Sequence, residues 1–220
     1  MKRDIFPSEK DFGSLIRAQE IVSSRALVED KFGELKKIAG VDQAFLDDKI
    51  ISGIVILDYD TMDVVEKKHS IKDVDFPYIP SFLSFREGPA IISAFRSLKT
   101  IPDLLMVDGC GINHPRSAGL ATHIGVALDI ATIGVAKKLL CGTVDKPMNI
   151  GEHSLIILHD QYVGASLLSK KGCNPIIIAP GHKVSLSSTI DIVRYCLRGQ
   201  KLPEPIRIAH KYVGDIKRKL

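Results

Sequence analysis

At 220 residues the chain is long enough to bury a substantial core as one large α/β domain, residues 1–220, without disulfides or a structural metal. Hydrophobic residues make up 45% and charged residues 25%, which excludes a disordered or low-complexity chain, and no run of ~18 apolar residues offers a membrane span. A net charge of +4 is compatible with a polyanionic partner without demanding one.

In chain order, "MKRDIFPSEKDF" turns acidic and polar before a signal-type apolar core can form, so a cytoplasmic protein is expected. Ser8, Glu9 and Asp11 cap an amphipathic pattern that continues through Phe12, Leu15, Val22, Phe32 and Leu35. It predicts one long helix ended by Gly40. Three β-like runs follow at 41–45, 50–59 and 63–71, and connections as short as "LDDK" and "DTM" require an antiparallel meander. "IVIL" is apolar at both parities, as for a strand covered on both faces. From Ser84, "FREGPAIISAFRSL" predicts a helix whose Pro89 is tolerated near the first turn. "DLLMVD" (103–108) reads as a buried strand, "AGLATHIGVALDI" as a helix and "ATIGVAK" (131–137) as a strand. "SLIILHD" and "YVGASLLS" form a hairpin, and "PIIIAPG" is another buried strand. Two helices close the chain, one capped by Ser185 or Ser187 and stopped at Gly199, the other within "EPIRIAHKYVGDIKRK". A meander feeding αβ crossovers predicts a mixed sheet with helices on both faces.

Several chemistries fail on the residues. "DGCGIN" after a strand offers the first two glycines of a dinucleotide fingerprint, but His114 takes the third position and no acid ends a second strand ~20 residues on. No phosphate-binding G-x-x-x-x-G-K-[ST] occurs. Cys110 and His114 with Cys173 and His182 have looser spacing than structural zinc pairs, and nothing assembles around Cys110 as a nucleophile. The four cysteines, without a CxxC pair, are expected to be reduced.

Carboxylates remain. Asp42 interrupts an apolar strand, Asp108 ends another before a turn stripped of side chains, and Glu87 sits early in the intervening helix. A carboxylate inside a strand costs several kcal/mol unless it is paired or binds a cation. In this topology the strands of Asp42 and Asp108 can lie side by side, where their charges repel. Oxygen ligands without a Cys/His cluster suit Mg²⁺ or Mn²⁺, the ions of phosphodiester hydrolysis.

These residues lie in strings that resemble the endonuclease V family, strongest across "FPYIPSFLSFREGP", "DLLMVDGCGINHPRSAGLATHIG" and "ATIGVAKKLLCG" and extending from about "AGVDQAF" to "LPEPIRIAHKY". The resemblance implies a ribonuclease-H-like fold: an α/β mixed sheet, antiparallel meander plus parallel strands, flanked by helices on both faces. It implies that Asp42, Glu87 and Asp108 hold Mg²⁺, with Mn²⁺ able to substitute, that Lys137 steadies the scissile phosphate, and that His210 approaches the metal through water. By the same resemblance Tyr78, fixed between prolines, wedges into the duplex where a deaminated base leaves the stack. Gly109 and Gly111 would let main-chain groups reach that base, and His114, Arg116 and His123 are assigned to the pocket and the backbone phosphates. The implied activity is cleavage of DNA containing deoxyinosine at the second phosphodiester bond 3′ of the lesion, leaving 3′-hydroxyl and 5′-phosphate ends. Two alternatives stay open: an endoribonuclease acting on inosine-containing RNA, and a non-catalytic inosine or nucleic-acid binding module. Neither a membrane nor an obligate protein partner is expected.

Overall fold

The computed structural model describes residues 4–220, and the first three residues of the amino-terminal stretch read above lie outside the described residues. Among the described residues five helices and eight strands are formed. In chain order they are α1 (Phe12–Arg25), β1 (Lys37–Leu46), β2 (Lys49–Asp58), β3 (Val64–Asp73), α2 (Leu83–Arg96), β4 (Leu104–Asp108), α3 (Leu120–Leu128), β5 (Ala131–Ala136), β6 (His153–Leu158), β7 (Gln161–Leu167), β8 (Ile176–His182), α4 (Leu186–Cys196) and α5 (Glu204–Lys217). All eight strands join one sheet in the order β3-β2-β1-β4-β5-β8-β7-β6. The pairs β1–β4 and β4–β5 are parallel. The meander pairs, β5–β8 and the β6–β7–β8 ladder are antiparallel. No helix among the described residues is long and apolar enough to cross a membrane.

Alternating side chains divide the interior in two. Ile54 and Ile56 of β2 face α1, α2 and α3, while Val55 and Leu57 face α4 and α5, so β2 is apolar at both parities because both its faces are covered.

The long amino-terminal helix of the sequence reading is corrected here. Asp11 caps α1 by accepting the Ser14 amide (3.0 Å), and the helix ends at Arg25. Residues 26–36 are irregular. The periodic residues serve two cores: Leu15, Ala18 and Val22 pack on the α2/α3 face, whereas Phe32 and Leu35 pack on the α4/α5 face. A straight helix cannot reach both faces of one sheet. The connecting chain instead runs beside the end of β8, where the Lys183 amide donates to the Leu27 carbonyl (2.7 Å).

Gly40 is likewise not a helix stop. It lies within β1, where a Cβ would come 1.9 Å from the Pro205 carbonyl oxygen, so its bareness lets the start of α5 sit directly on the strand. Pro89 lies beyond the first turn of α2. Its neighbour Gly88 has no Cβ to clash with the proline ring, and the same gap admits the ring of Phe6, 2.8 Å from where that Cβ would stand.

Gly40→Ala should lower the unfolding free energy by about 3 kcal/mol, because Pro205 backbone must move and carry α5 with it. Urea denaturation checks this, and an unchanged midpoint would show that α5 is not seated through Gly40.

Candidate active site

Parallel pairing sets Val41 opposite Val107, so Asp42 and Asp108, the next residues of each strand, stand beside one another. Both fall on the α5 side of the sheet, sharing parity with Ile38 and with Leu104 and Met106. The Gln43 amide donates to Asp42 Oδ1 (2.8 Å), and His210 of α5 donates from Nδ1 to Oδ2 (2.6 Å). Lys137, just past β5, places Nζ 2.6 Å from Asp108 Oδ2. Glu87 enters from α2 and is buried.

Electrostatics tie the three acids together. Burial, then the charges of Asp108 and Asp42, push the Glu87 carboxyl up to about 8. Burial and then Asp108 also raise the pKa of Asp42, against the opposing pull of the Gln43 amide and His210. Burial acts to lower the Lys137 ammonium's pKa, but Asp108's charge and hydrogen bond outweigh it and raise it above its ordinary value. The cluster is short of positive charge.

Asp42, Glu87 and Asp108 line one cavity of about 470 Å³, together with Tyr78, Pro80, Ser81, Gly109, Cys110, His114, Leu139 and Leu140. Among the described residues no three His, Cys, Asp or Glu side chains are already gathered as a metal-holding group. Lys137 and His210 engage Asp108 Oδ2 and Asp42 Oδ2 instead. The donor chemistry nevertheless fits a hard divalent cation: carboxylate oxygens only, with the charge of Asp108 opposing ionisation of Asp42 and both opposing that of Glu87.

Of the other residues read from the sequence, Tyr78 lines the cavity with 68% of its surface exposed, and Gly109 and His114 line it too. His114 is buried and neutral, held near 4 chiefly by burial. Its Nε2 donates to the Ser81 carbonyl (2.9 Å), and its Nδ1 accepts the Arg116 amide.

Gly111, Arg116 and His123 are not among the cavity's lining residues. A Cβ on Gly111 would meet the Pro180 carbonyl at 2.1 Å, so this glycine seats the turn on β8. Arg116 donates to Gln19 Oε1 (2.6 Å) and Ser81 Oγ (3.1 Å) and stacks on Phe82. His123 is fully buried between the rings of Phe6 and Phe85, with Nε2 donating to the Ile5 carbonyl (2.7 Å).

Sequence reasoning missed Ser81 and Gln19. Ser81 takes a left-handed backbone (φ 65°), and its carbonyl accepts from both His114 and Gln19 Nε2 (2.6 Å). With Arg116 these bonds fasten the segment that carries Tyr78. Gln19 standing on the apolar stripe between Leu15 and Val22 was the available signal. Leu139 and Leu140, exposed leucines in a loop, were the other missed wall of the cavity. Burial pushes the Cys110 thiol up to about 12, which removes it as a nucleophile near neutral pH.

Adjacent parallel strands that set an acid within β1 beside the acid that ends β4, in a mixed sheet flanked by helices, define a ribonuclease-H-like nuclease. Residues 19–211 match the family model described as Endonuclease V. An endonuclease V from Dictyoglomus thermophilum is 43% identical over 198 residues, covering 90% of this chain and 87% of that protein. The solved structure of the Bacillus subtilis protein superposes with a TM-score of 0.93 at 28% identity, covering 98% of this chain and 96% of that one. A Ciona intestinalis endonuclease V, solved with a 24mer DNA containing an inosine followed by a ribo-adenosine, gives 0.86 at 26% identity, covering 96% and 99%. This chain belongs to the endonuclease V family.

His123 generates a pH prediction. Its pKa is about 4 in the folded chain against 6.5 for an ordinary histidine, so the unfolded chain binds the extra proton between those values. Its contribution to stability is fully present above about 6.5 and is lost as pH falls towards 4, by ~1.4 kcal/mol per pH unit. His123→Gln, which can still donate to Ile5, should flatten the acid limb of stability measured by denaturation. An unchanged acid limb would contradict the assignment.

Proposed function

We propose that this chain is a divalent-cation-dependent endonuclease that recognises deoxyinosine, the product of adenine deamination, in DNA. It hydrolyses the second phosphodiester bond 3′ of the lesion, leaving 3′-hydroxyl and 5′-phosphate ends, as a single-domain cytoplasmic repair enzyme. The observation that carries this reading is one cavity that holds both the three clustered acids and an exposed aromatic ring beside bare main chain.

Asp42, Glu87 and Asp108 would hold Mg²⁺, with Mn²⁺ able to substitute. When bound, that ion supplies Lewis acidity and lowers the pKa of a coordinated water. The protein's own groups do the rest. Lys137, kept charged beside Asp108, meets the negative charge that builds on a phosphate seated there. His210 is tied to Asp42 through Nδ1 while its side chain stays 65% exposed, so Nε2 is open to exchange a proton with the attacking water or the departing O3′. Water adds to phosphorus, the P–O3′ bond breaks, and the proton from water ends on the 3′-hydroxyl.

Base selection follows from main-chain donors. The Gly109 amide is spent on the Val135 carbonyl and the Gly111 amide on Asn113 Oδ1. The cavity-lining Cys110 contributes the main-chain amide between them. Hypoxanthine presents O6 as an acceptor to such a donor, whereas adenine presents an amino group that leaves it unpaired. Tyr78, held in "PYIP", fills the space the extruded base vacates.

A ribonucleotide reading has one specific support: the Ciona relative was solved on a strand with a ribo-adenosine beside the inosine. Matched deoxyinosine and inosine oligomers separate the two substrates.

Asp108→Ala should reduce cleavage of a deoxyinosine duplex in Mg²⁺ by about 10³-fold or more while lesion binding persists. Tyr78→Ala should weaken binding of that lesion about tenfold, the usual effect of losing one stacking partner. Wild-type cleavage rates in both Asp42→Ala and Asp108→Ala would overturn the site.

A further inference from the structure

Beyond the base cavity the surface continues as a groove. Lys138 and Leu139 line the base cavity and also a second hollow of about 270 Å³. That hollow in turn shares Lys146 and Asn174 with a third of about 650 Å³, which Lys171 borders. The three hollows therefore adjoin one another through shared wall residues. The groove starts at the reacting acids, because Lys137 lines the second hollow and reaches Asp108.

Its chemistry is one-sided. Lys137, Lys138, Lys146 and Lys171 line the two outer hollows, with Asp145 as the single acid among their described lining residues. At the far end Met148 and Ile150 stand 79% and 60% exposed. A row of ammonium groups beside exposed apolar side chains matches a polynucleotide strand, whose phosphates meet the lysines while sugar and base faces cover the apolar rim. Lysines with a single acid among them suit one strand of a nucleic acid better than a protein face, which would need a broader apolar patch.

We propose that this groove, from Lys137 through Lys146 to Lys171, binds the backbone of the nucleic-acid strand flanking the lesion, beyond the base cavity. The inference rests on the nuclease reading for the identity of the strand, but it concerns a different set of residues and contacts that do not depend on base identity.

The test uses the full chain in an Asp108→Asn background, with and without Lys146→Ala plus Lys171→Ala. Affinity for single-stranded oligonucleotides with and without a central deoxyinosine is measured against salt. The double variant should weaken both oligonucleotides equally and make the slope of log affinity against log salt shallower by about 1.4, from two lost phosphate contacts. That effect should vanish when the flank on one side of the lesion is trimmed away, since the contact is local. An unchanged slope would overturn the groove, as would an effect that survives trimming of both flanks, which would mark general electrostatic attraction. Absence of any preference for deoxyinosine in the parent would count against the base-recognition reading alone, leaving the groove to be judged by its slope.

Discussion

Repulsion between two carboxylates on neighbouring strands is the constraint around which this molecule is arranged. Hydrogen bonding between β1 and β4 fixes Val41 opposite Val107, and the strands cannot part Asp42 from Asp108 without breaking the centre of the sheet. Burial removes the water that would screen them, and with their charges it pushes the neighbouring Glu87 carboxyl up to about 8, so that acid stays largely protonated near neutral pH. The surrounding groups answer that charge: His210 at Asp42 and Lys137 at Asp108 each approach to 2.6 Å.

Packing at bare backbone positions brings those groups in. The contact of Gly40 with Pro205 seats α5 on β1, and His210 lies further along the same helix, above Asp42. Gly88 admits Phe6 against α2, the helix that carries Glu87. On the cavity's other side Ser81 gathers hydrogen bonds from Gln19, His114 and Arg116, so the segment bearing Tyr78 is held by buried polar groups. Fold and site are one problem here, because the glycines that permit close packing also aim the functional side chains.

Much of this was legible in the sequence. The meander followed from connections too short for a crossover, and the adjacency of Asp42 and Asp108 followed from placing the strand after α2 beside the first strand. What could not be read was what each glycine and each polar side chain faces. Gly40 signals a helix stop in one dimension and a helix–strand contact in three. Phe32 and Leu35 keep a helical period yet pack on the opposite face of the sheet from α1. His123 and Arg116 follow the glycine turn closely enough to suggest a pocket, but a helix starting at Leu120 turns His123 into the core, and Arg116 reaches back to Gln19, distant in sequence. Such partners are set by tertiary contacts that local patterning does not encode.

The central claim is that the clustered acids create a deficit of positive charge that a divalent cation fills. Thermal unfolding of the wild type and of Asp108→Asn, each in Mg²⁺ and in EDTA, measures that deficit directly. The account predicts that Mg²⁺ raises the melting temperature of the wild type, that Asp108→Asn melts above the wild type in EDTA because one repelling charge is gone, and that the variant gains little from the ion. Equal responses of the two proteins to Mg²⁺, or a variant less stable than the wild type in EDTA, would contradict it.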